Sequence, residues 1–488
     1  MLFEDLREFL KELESRGLLK RIKTEVSTEL EIAEITDRLV KSGGAAVIFE
    51  NVKGFSMPVI SNLYGTRERV AAGLGVTEAE FGEIGEFIAY LQRPKPPEGM
   101  WEAIKKLPFF AKMLTLGPKT VGSGACQEVI LEGSKADFTK LPILKCWPKD
   151  IAPLITWPLV ITKAPSENNE NNLYNVGVYR MQVLGPDKAI MRWLKQRGGA
   201  KHQMLWEKTG KPMPVAVAIG CEPATTIAAV TPLPEDVSEF QFAGVLRKKA
   251  IELVDCKTVP LKVPATAEIV LEGEIRHGDV ATEGPFGDHT GYYNAEEKFP
   301  VFHLKAITHR KNPYYLTTIT GRPPKEDAVI GTVLNTLYLP TLRLTFPEIV
   351  NFALPMEAVS YRIAVVSIKK EYPGHAKRIM MGLWGVLKQF LYVKYIIVVD
   401  DDIDVRNWND VLWALATRVD PRRDTTFIDD TPIDYLDFSS PKDGLGSKLG
   451  IDATNKVRPE TERKWGEKME MSEEIVKLVS GKWKDYGL

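Results

Sequence analysis

The sequence has few cysteines and no long apolar run. Its four cysteines, Cys126, Cys146, Cys221 and Cys256, include no closely spaced pair, so a disulfide framework and a cysteine-based metal site are not expected. No apolar run approaches the roughly 20 residues that a membrane-spanning helix needs. The first residues, Met-Leu-Phe-Glu-Asp, are acidic where a secretion signal would be basic. We therefore expect a cytoplasmic protein whose membrane contact is at most peripheral, at the inner membrane.

The sequence also lacks an excess of charge of either sign. It contains 64 basic and 65 acidic residues, for a net charge of -1, and this balance indicates neither a nucleic-acid-binding surface nor an acidic tail. The chain has no internal repeat, and its six histidines show no metal-ligand spacing. A length of 488 residues with 44% hydrophobic composition predicts a globular protein of two or three domains.

The spacing of apolar residues changes along the chain. Residues 1–97 combine helical spacing with two short β-type runs, which predicts a small α/β domain that ends at Pro94-Lys-Pro-Pro97. Residues 98–324 contain many short β-type runs separated by turn residues, which predicts an antiparallel barrel or sandwich.

The third region, residues 325–488, returns to α/β character. Buried apolar runs at 361–368 and 395–399 flank a helical segment at 374–391. This arrangement predicts a parallel sheet that is covered on both faces. We expect the polar tail after Gly444 to reach over a neighbouring domain or subunit.

The connection between the first two regions, residues 98–120, is both aromatic and basic. Trp101, Phe109 and Phe110 are interleaved with lysines before Leu116. Such a segment can lie on a membrane surface or cap an apolar substrate channel. It can equally be a linker helix packed between two domains.

An acidic loop is the first candidate site. Glu283-Gly-Pro-Phe-Gly-Asp-His-Thr-Gly291 places two carboxylates, Glu283 and Asp288, on a backbone that glycine and proline keep out of a helix. At a cleft edge, such a pair can separate a proton donor from a fixed anion. The alternative is a solvated turn with two exposed acids. His289 either orients an acid or substrate, or is a hydrogen-bonded structural imidazole.

A second candidate site spans residues 175–199. Arginines and backbone N–H groups beside glycines suit a phosphate, and Asn175 offers a hard oxygen to a divalent cation, with Glu239 as a possible carboxylate partner. Residues five apart on a regular strand point to opposite faces. Either a bulge at Gly177 therefore aligns Asn175 with Arg180, or the two residues serve different sides of one ligand.

A third candidate is the acidic run from Asp400 to Asp404, which includes Asp401 and Asp402. It follows a buried run, and ligands bind at the carboxyl ends of strands in open α/β sheets. The run could hold magnesium in a metal-dependent phosphohydrolase. Alternatively, these acids cap a strand end and the next helix.

Taken together, these residues resemble the UbiD family of decarboxylases, and among them the 4-hydroxy-3-polyprenylbenzoate decarboxylases. The resemblance runs nearly end to end. The motifs that carry it are Phe49-Glu-Asn-Val-Lys-Gly-Phe-Ser-Met-Pro58, Tyr174-Asn-Val-Gly-Val-Tyr-Arg180, Met191-Arg-Trp-Leu194, Glu283-Gly-Pro-Phe-Gly-Asp-His-Thr-Gly-Tyr-Tyr-Asn294, Thr320-Gly-Arg-Pro-Pro324 and Thr431-Pro-Ile-Asp-Tyr-Leu-Asp-Phe438.

The resemblance implies a cofactor and a fold. The family holds prenylated FMN with a divalent metal, usually manganese, and a potassium-type ion in a flavin-reductase-like split β-barrel, here residues 98–324. Asn175 and Glu239 would bind the metal that clamps the cofactor phosphate. The third ligand stays open, because only His202 follows Trp193 at an uncertain offset. The residues that would line the cofactor are Val178, Tyr179, Arg180, Arg192, Trp193, Leu194, Arg197 and Gly198.

The resemblance also implies a carboxy-lyase. Arg180, Glu283 and Asp288 match the family's catalytic arginine and two acids, with Asp288 in the proton-donor position. The expected reaction is non-oxidative decarboxylation of 4-hydroxy-3-polyprenylbenzoate to 2-polyprenylphenol in ubiquinone biosynthesis, with the cofactor as a covalent electron sink. A close variant is a reversible carboxylase or decarboxylase of a small phenolic or other aromatic acid.

The resemblance further implies partners. A flavin prenyltransferase would supply the cofactor, and the chain would form a homo-oligomer, either a dimer or a hexamer. A non-catalytic cofactor carrier is the remaining hypothesis, and it predicts bound flavin without turnover.

Overall fold

The computed structural model describes residues 3–93, 116–166, 174–195, 197–231, 233, 237–386, 392–434 and 436–487. Residues 98–115 of the predicted linker segment, which spans 98–120, lie outside these ranges. In the described part of the chain, no helix is both long and apolar enough to cross a membrane.

The N-terminal region is a small α/β unit, as the sequence predicts. Asp5 caps the first helix by accepting a hydrogen bond from the Glu8 N–H, and its apolar stripe is buried. The elements are α1 (Leu6–Ser15), β1 (Leu19–Ile22), α2 (Glu31–Lys41), β2 (Ala46–Phe49), β3 (Val59–Ser61), α3 (Arg67–Gly73) and α4 (Phe81–Gln92).

The central region is built on a curled, mainly antiparallel sheet of nine strands. The first strands of the central region, including those outside this sheet, are β4 (Lys119–Val121), β5 (Val129–Glu132), β6 (Leu154–Ile155), β7 (Leu159–Lys163), β8 (Tyr174–Val178), β9 (Met181–Val183), β10 (Lys188–Met191) and β11 (Met213–Ile219). The others are β12 (Glu252–Asp255), β13 (Lys262–Pro264), β14 (Ile269–Glu283), β15 (Glu297–His309) and β16 (Tyr315–Leu316).

The strand order of this large sheet is β6-β9-β10-β15-β14-β11-β7-β8, with β5 paired to β15. The two longest strands, β14 and β15, pair with each other in the middle of this sheet. Strand β14 ends at Glu283, so the sheet positions the acidic loop. Strands β13, β12 and β4 form a separate three-stranded sheet. Strand β16 joins the N-terminal sheet by pairing in parallel with β3.

In the described part of the central region, three helices interrupt the predicted β pattern. They are α5 (Gly198–Thr209), α6 (Pro223–Val230) and α7 (Glu239–Leu246). Helix α7 begins at a capping box in which Ser238 and Gln241 bond to each other's backbone. Helices α5 and α7 both pack on β8, so they approach the second candidate site.

The C-terminal region has the predicted parallel sheet at its centre. The strand order is β17-β18-β19-β21-β20; β18, β19 and β21 are parallel, and the two edge strands run antiparallel to their neighbours. The elements are α8 (Glu326–Thr345), β17 (Ile349–Ala353), β18 (Ile363–Ile368), α9 (His375–Val386), β19 (Tyr395–Asp400), α10 (Trp408–Arg418), β20 (Thr425–Pro432), β21 (Leu445–Ala453) and α11 (Glu473–Gly481).

The buried apolar residues form one large cluster and two smaller ones. The large cluster runs from Phe3 to Leu337 and includes residues of both the N-terminal and the central region. The smaller clusters lie in the C-terminal region, between Leu342 and Ala453. The domain limits at residues 97 and 324 stay predictions.

Candidate active site

The acidic loop is buried. Glu283 and Asp288 are 0% and 5% exposed, so the alternative of a solvated turn is wrong. Asp150 anchors the loop by accepting hydrogen bonds from the Gly287 N–H at 2.9 Å and from the Trp147 N–H at 2.8 Å. A Cβ on Gly287 would lie 2.2 Å from Cδ1 of Trp147, so only glycine allows this approach.

Arg180 joins the two acids of the loop. Its Nε and Nη2 donate to the two oxygens of Glu283 at 2.7 and 3.1 Å, and its Nη1 donates to Oδ2 of Asp288 at 2.8 Å. The Arg180 side chain is 12% exposed. Its guanidinium plane therefore fixes the relative position of two buried carboxylates, which a single ammonium group cannot do.

The backbone near Arg180 excludes one of the two sequence-based possibilities, the bulge at Gly177. Strand β8 pairs with β7 in regular register through Gly177, so no bulge occurs there. The strand instead ends at Val178, and Arg180 lies in the link to β9. Because the strand ends between these two residues, strand alternation does not determine the direction of the Arg180 side chain relative to that of Asn175.

Further groups hold Glu283 in place. Asn294 donates its side-chain N–H to Oε2 of Glu283 at 3.2 Å, and Nε of Arg192 lies 3.6 Å from the same oxygen. Gln182 accepts a hydrogen bond from the Gly284 N–H at 2.9 Å, which secures the next residue of the loop. Glu283 is thus a fixed anion between two guanidinium groups.

Asp288 is held ionised. Burial raises its pKa, but the hydrogen bond from His289 and the charge of Arg180 outweigh burial and hold the pKa well below its usual value of 3.8. Oδ1 of Asp288 lies 2.7 Å from both the backbone N and Nδ1 of His289. The Asp288 carboxylate therefore carries no proton of its own.

The sequence did not indicate two residues that complete this network. Nε2 of His289 lies 2.5 Å from the hydroxyl of Tyr361, and that hydroxyl lies 2.6 Å from Oδ2 of Asp434. In the sequence, Tyr361 lies 72 residues from His289, and Asp434 lies 73 residues from Tyr361. Asp434 belongs to the Thr431–Phe438 motif, which was the only sequence signal for it.

The second candidate site lies around the N-terminus of α5. The N–H of Gly199 donates to the Tyr179 hydroxyl at 3.4 Å, and the rings of Tyr179 and Trp193 meet edge to face at 5.7 Å. A Cβ on Gly198 would lie 1.9 Å from Oδ1 of Asn175. Only glycine therefore lets the amide oxygen of Asn175 approach the start of this helix.

Asn175 and Glu239 also come together, which suits a divalent cation. Glu239 accepts a hydrogen bond from the N–H of Val176, the neighbour of Asn175, at 3.0 Å. Burial raises the pKa of Glu239 to about 7, although the backbone hydrogen bonds oppose this shift. Among the described residues no basic side chain pairs with Glu239. A buried carboxylate and an amide oxygen are the kinds of oxygen ligand that hard cations prefer.

His202, the residue considered for the third metal ligand, shares a hydrogen-bonding partner with Asn175. Its Nδ1 lies 2.9 Å from the hydroxyl of Thr162, which also accepts a 3.3 Å hydrogen bond from Asn175. Burial lowers the pKa of His202 to about 4, so the imidazole is neutral. Within the described ranges, no group of three His, Cys, Asp or Glu side chains could hold a metal ion.

A cavity of about 440 Å³ is lined in part by Trp193 of this site. Trp193 and Leu194 line one side, and Phe299 of β15 lines the other. Arg192 stacks its guanidinium over the ring of Phe299 at 5.6 Å. Val178 is half-buried on β8, and Arg197 is exposed just before α5. The residues predicted to line the cofactor thus surround one part of the curled sheet.

The acidic run after β19 is occupied by internal ion pairs. Asp400 binds Nη1 of Arg418 at 2.6 Å and the N–H of Asn455 at 2.6 Å. Asp402 pairs with the same guanidinium at 2.8 Å and with Lys468 at 3.0 Å. Oδ1 of Asp404 accepts from the N–H of Arg406. This geometry does not support the alternative of a magnesium-dependent phosphohydrolase.

Three family models match consecutive parts of the chain. The N-terminal, Rift-related and C-terminal domains of UbiD, described as 3-octaprenyl-4-hydroxybenzoate carboxy-lyase, match residues 10–88, 119–323 and 328–453.

Solved structures resemble the chain over almost its whole length. The UbiD-class enzyme HmfF from Pelotomaculum thermopropionicum, in complex with FMN, is 32% identical over 98% of this chain and 99% of its own, with a TM-score of 0.81. An evolved dimeric form of HmfF, in complex with prFMN, is also 32% identical, over 96% and 97%, with a TM-score of 0.78. The closed form of vanillic acid decarboxylase from Sedimentibacter hydroxybenzoicus is 29% identical over 100% and 99%, with a TM-score of 0.85.

Proposed function

The chain belongs to the UbiD family and is a carboxy-lyase, and from this premise we propose that it decarboxylates an aromatic acid with the help of prenylated FMN. The observation that carries the proposal is the buried fork of Arg180 on Glu283 and Asp288, on the same sheet as the residues that suit a flavin phosphate. A fixed cation, a fixed anion and a potential proton donor are the groups that loss of CO2 and reprotonation of carbon require.

We assign the cofactor to the curled sheet, which we interpret as a flavin-reductase-like split barrel. Asn175 and Glu239 would hold Mn²⁺ or another divalent cation against the phosphate, with a potassium-type ion nearby. The glycine-rich start of α5 supports this placement, because helix N-termini bind phosphate. The chemistry that prenylated FMN supplies when bound is that of an electron sink.

The chain's own residues have distinct roles in the proposed reaction. Arg180 attracts the substrate carboxylate and keeps Glu283 and Asp288 at a fixed separation. Glu283, fixed by Arg180 and Asn294, sets the local field. Asp288 donates a proton to the ring carbon that loses CO2. The burial of this triad excludes water, which would otherwise weaken its electrostatic effect.

The substrate has two candidates. The first is 4-hydroxy-3-polyprenylbenzoate, converted to 2-polyprenylphenol in ubiquinone biosynthesis. The matched family description supports it, as does the aromatic and basic segment at 101–115, which would face a membrane surface. The second is a small phenolic acid, which is supported by the similarity to vanillic acid decarboxylase.

The proposal is tested by loading the cofactor first. The chain is co-expressed with a flavin prenyltransferase, purified without oxygen, and its absorbance and cofactor mass are recorded. A mass matching prenylated FMN, followed by CO2 release from one of a panel of aromatic acids, is the expected result. A colourless protein from properly supplied cells would contradict the cofactor assignment, and bound cofactor without CO2 release would favour a carrier.

The proton donor and the membrane segment have separate tests. Asp288→Asn is expected to abolish turnover while cofactor binding remains, and full turnover of this loaded variant would refute the donor assignment. Phe109→Asp with Phe110→Asp is expected to reduce co-sedimentation with anionic liposomes. Unchanged co-sedimentation would remove the support for a lipid-tailed substrate.

A further inference from the structure

We propose that His289 is the proton reservoir of Asp288, and that Tyr361 and Asp434 are positioning residues that hold it in the tautomer this role requires. The inference rests on the proposed function, because it explains how an ionised Asp288 obtains the proton that it donates. All three residues act through Asp288.

The geometry is a continuous chain of short contacts between two regions of the protein. Asp288 and His289 belong to the loop after β14, whereas Tyr361 precedes β18 and Asp434 follows β20. The contacts measure 2.7 Å from Asp288 to His289, 2.5 Å from His289 to Tyr361 and 2.6 Å from Tyr361 to Asp434. The C-terminal region therefore reaches the proton donor through one imidazole.

The hydrogen bonds determine where the protons lie. Burial and the charge of Asp434 raise the pKa of Tyr361 well above its usual value of 10.0, so the phenol keeps its proton and donates it to Asp434. The Tyr361 oxygen can then only accept from His289, which requires a proton on Nε2. One more proton must lie between Nδ1 of His289 and Oδ1 of Asp288, because two lone pairs 2.7 Å apart would repel each other.

Asp434, at the far end of this series of hydrogen bonds, is held in place, and the tautomer of His289 is fixed with it. Nη2 of Arg362 lies 3.1 Å from Oδ2 of Asp434, and the N–H of Leu436 donates to its other oxygen at 3.0 Å. Two consecutive non-glycine residues with positive φ, Val359 at 58° and Ser360 at 63°, immediately precede Tyr361. Such backbone conformations are unfavourable for residues with a Cβ and persist where the surrounding structure enforces them.

The proton balance of one turnover follows from this arrangement. The proton on Nδ1 of His289 moves to Asp288, and the Asp288 carboxyl passes a proton to the ring carbon as CO2 leaves. His289 is then neutral and Asp288 is again a carboxylate. Solvent restores the proton, because the His289 side chain is 21% exposed whereas that of Asp288 is 7% exposed.

The surrounding charges give the direction of the pH dependence. Burial lowers the pKa of His289, but the hydrogen bond and charge of Asp288 raise it overall above 6.5. The pair therefore holds its proton below the folded-state pKa of His289 and loses it as pH rises through that value. The charged and titratable groups that face the pair are Arg180, Arg192, Asp327, Tyr361 and Asp434.

The first test reads the tautomer directly, without any cofactor or substrate. The full chain is labelled with ¹³C,¹⁵N-histidine, and His289→Gln identifies the His289 signals among the six histidines. The expected result is a protonated Nε2 at every pH and a pKa above 6.5. In Tyr361→Phe the pKa should fall by about one unit, because a hydrogen bond to a charged group is lost. A histidine without a proton on Nε2 would overturn the proposal.

The second test uses the holoenzyme and its pH profile. In Tyr361→Phe and Asp434→Asn the alkaline limb of kcat should move down by about one pH unit, because both changes lower the pKa of His289. Tyr292→Phe is the matched control, since Tyr292 is 68% exposed on the same loop. An unmoved limb in both folded variants would refute the role. If no acid is decarboxylated, the proposed function fails, but the first test still decides the inference.

Discussion

The fork made by Arg180 predicts a large effect from a conservative change. Arg180→Lys keeps the positive charge but cannot donate to Glu283 and Asp288 at once. The two acids would lose their fixed separation, and we expect kcat to fall on the order of 100-fold while the cofactor stays bound. CO2 release per bound cofactor measures the effect.

The control for this change is Arg276→Lys, because the Arg276 side chain is 54% exposed and pairs only with Glu274 at the sheet surface in the described structure. It should leave kcat unchanged. Retention of more than half of the wild-type kcat in Arg180→Lys would contradict the bidentate role.

Gly198 gives a prediction about cofactor loading. In Gly198→Ala the new Cβ would lie 1.9 Å from Oδ1 of Asn175, so the amide must move away from the proposed metal site. We expect bound divalent metal and flavin to fall at least tenfold, with the fold intact. Elemental analysis and cofactor absorbance per chain measure both quantities.

Gly185→Ala is the matched control for Gly198→Ala, because no atom lies within 4 Å of a Cβ at Gly185. Loading should be unaffected there. If Gly198→Ala loads as fully as wild type, Asn175 does not hold the metal.

Among the residues of the candidate site, the sequence indicated Glu283, Asp288 and Arg180, but it did not indicate the contacts of Tyr361 and Asp434. Glu283 and Asp288 stand in one glycine-rich motif with Arg180 in another, so a resemblance was enough to group them. Tyr361 and Asp434 lie more than 70 residues from the groups that they contact. No local pattern indicates such a contact, because it depends on how two regions of the chain meet.

Some helices and strands could be predicted from local sequence patterns, and others could not. Strands such as β3 and β11 were predicted because their residues are apolar and β-branched over short runs. Helices α5, α6 and α7 are only 8 to 12 residues long and do not show a clear amphipathic stripe. The 20-residue helix α8 was not predicted either, since Pro340 lies inside it and apolar residues surround it on most sides.

The turn before β18 gives a prediction about stability. Ser360 has a φ of 63°, where a Cβ costs roughly 1 to 2 kcal/mol. Ser360→Gly removes the Cβ, and we expect the free energy of unfolding to rise by up to about 1 kcal/mol, since glycine also loses more entropy on folding. Ser360→Ala keeps the Cβ and should bring no gain. Denaturant unfolding measures both, and equal stabilities of the two variants would show that this turn stores no strain.

On the scale of the whole molecule, the sequence predicted three regions, whose limits stay predictions. What the sequence could not indicate is how closely the first two regions associate. One cluster of buried apolar residues, from Phe3 to Leu337, includes residues of both regions and of helix α8, and β16 pairs with the N-terminal sheet. Long-range pairing of this kind leaves no periodic signal along the chain.

The exposed apolar side chains of helix α11 give a prediction about the oligomeric state. Helix α11 has no buried residue, and its apolar side chains Ile475, Val476 and Leu478 are 42 to 50% exposed. An apolar stripe of this kind is typical of an interface. We therefore expect a second copy of the chain to cover α11, so that the protein exceeds the 54.7 kDa of one chain in solution.

Leu478→Asp tests this expectation, because it places a charge in the centre of the stripe. Light scattering after size exclusion should show a smaller assembly, with unchanged helical content. Lys477→Asp introduces the same residue at the adjacent position, where the wild-type side chain is already charged and paired with Glu473, and it should keep the wild-type mass. A wild-type protein that runs at 54.7 kDa, or a Leu478→Asp variant that keeps the full mass, would show that α11 is not the contact between copies.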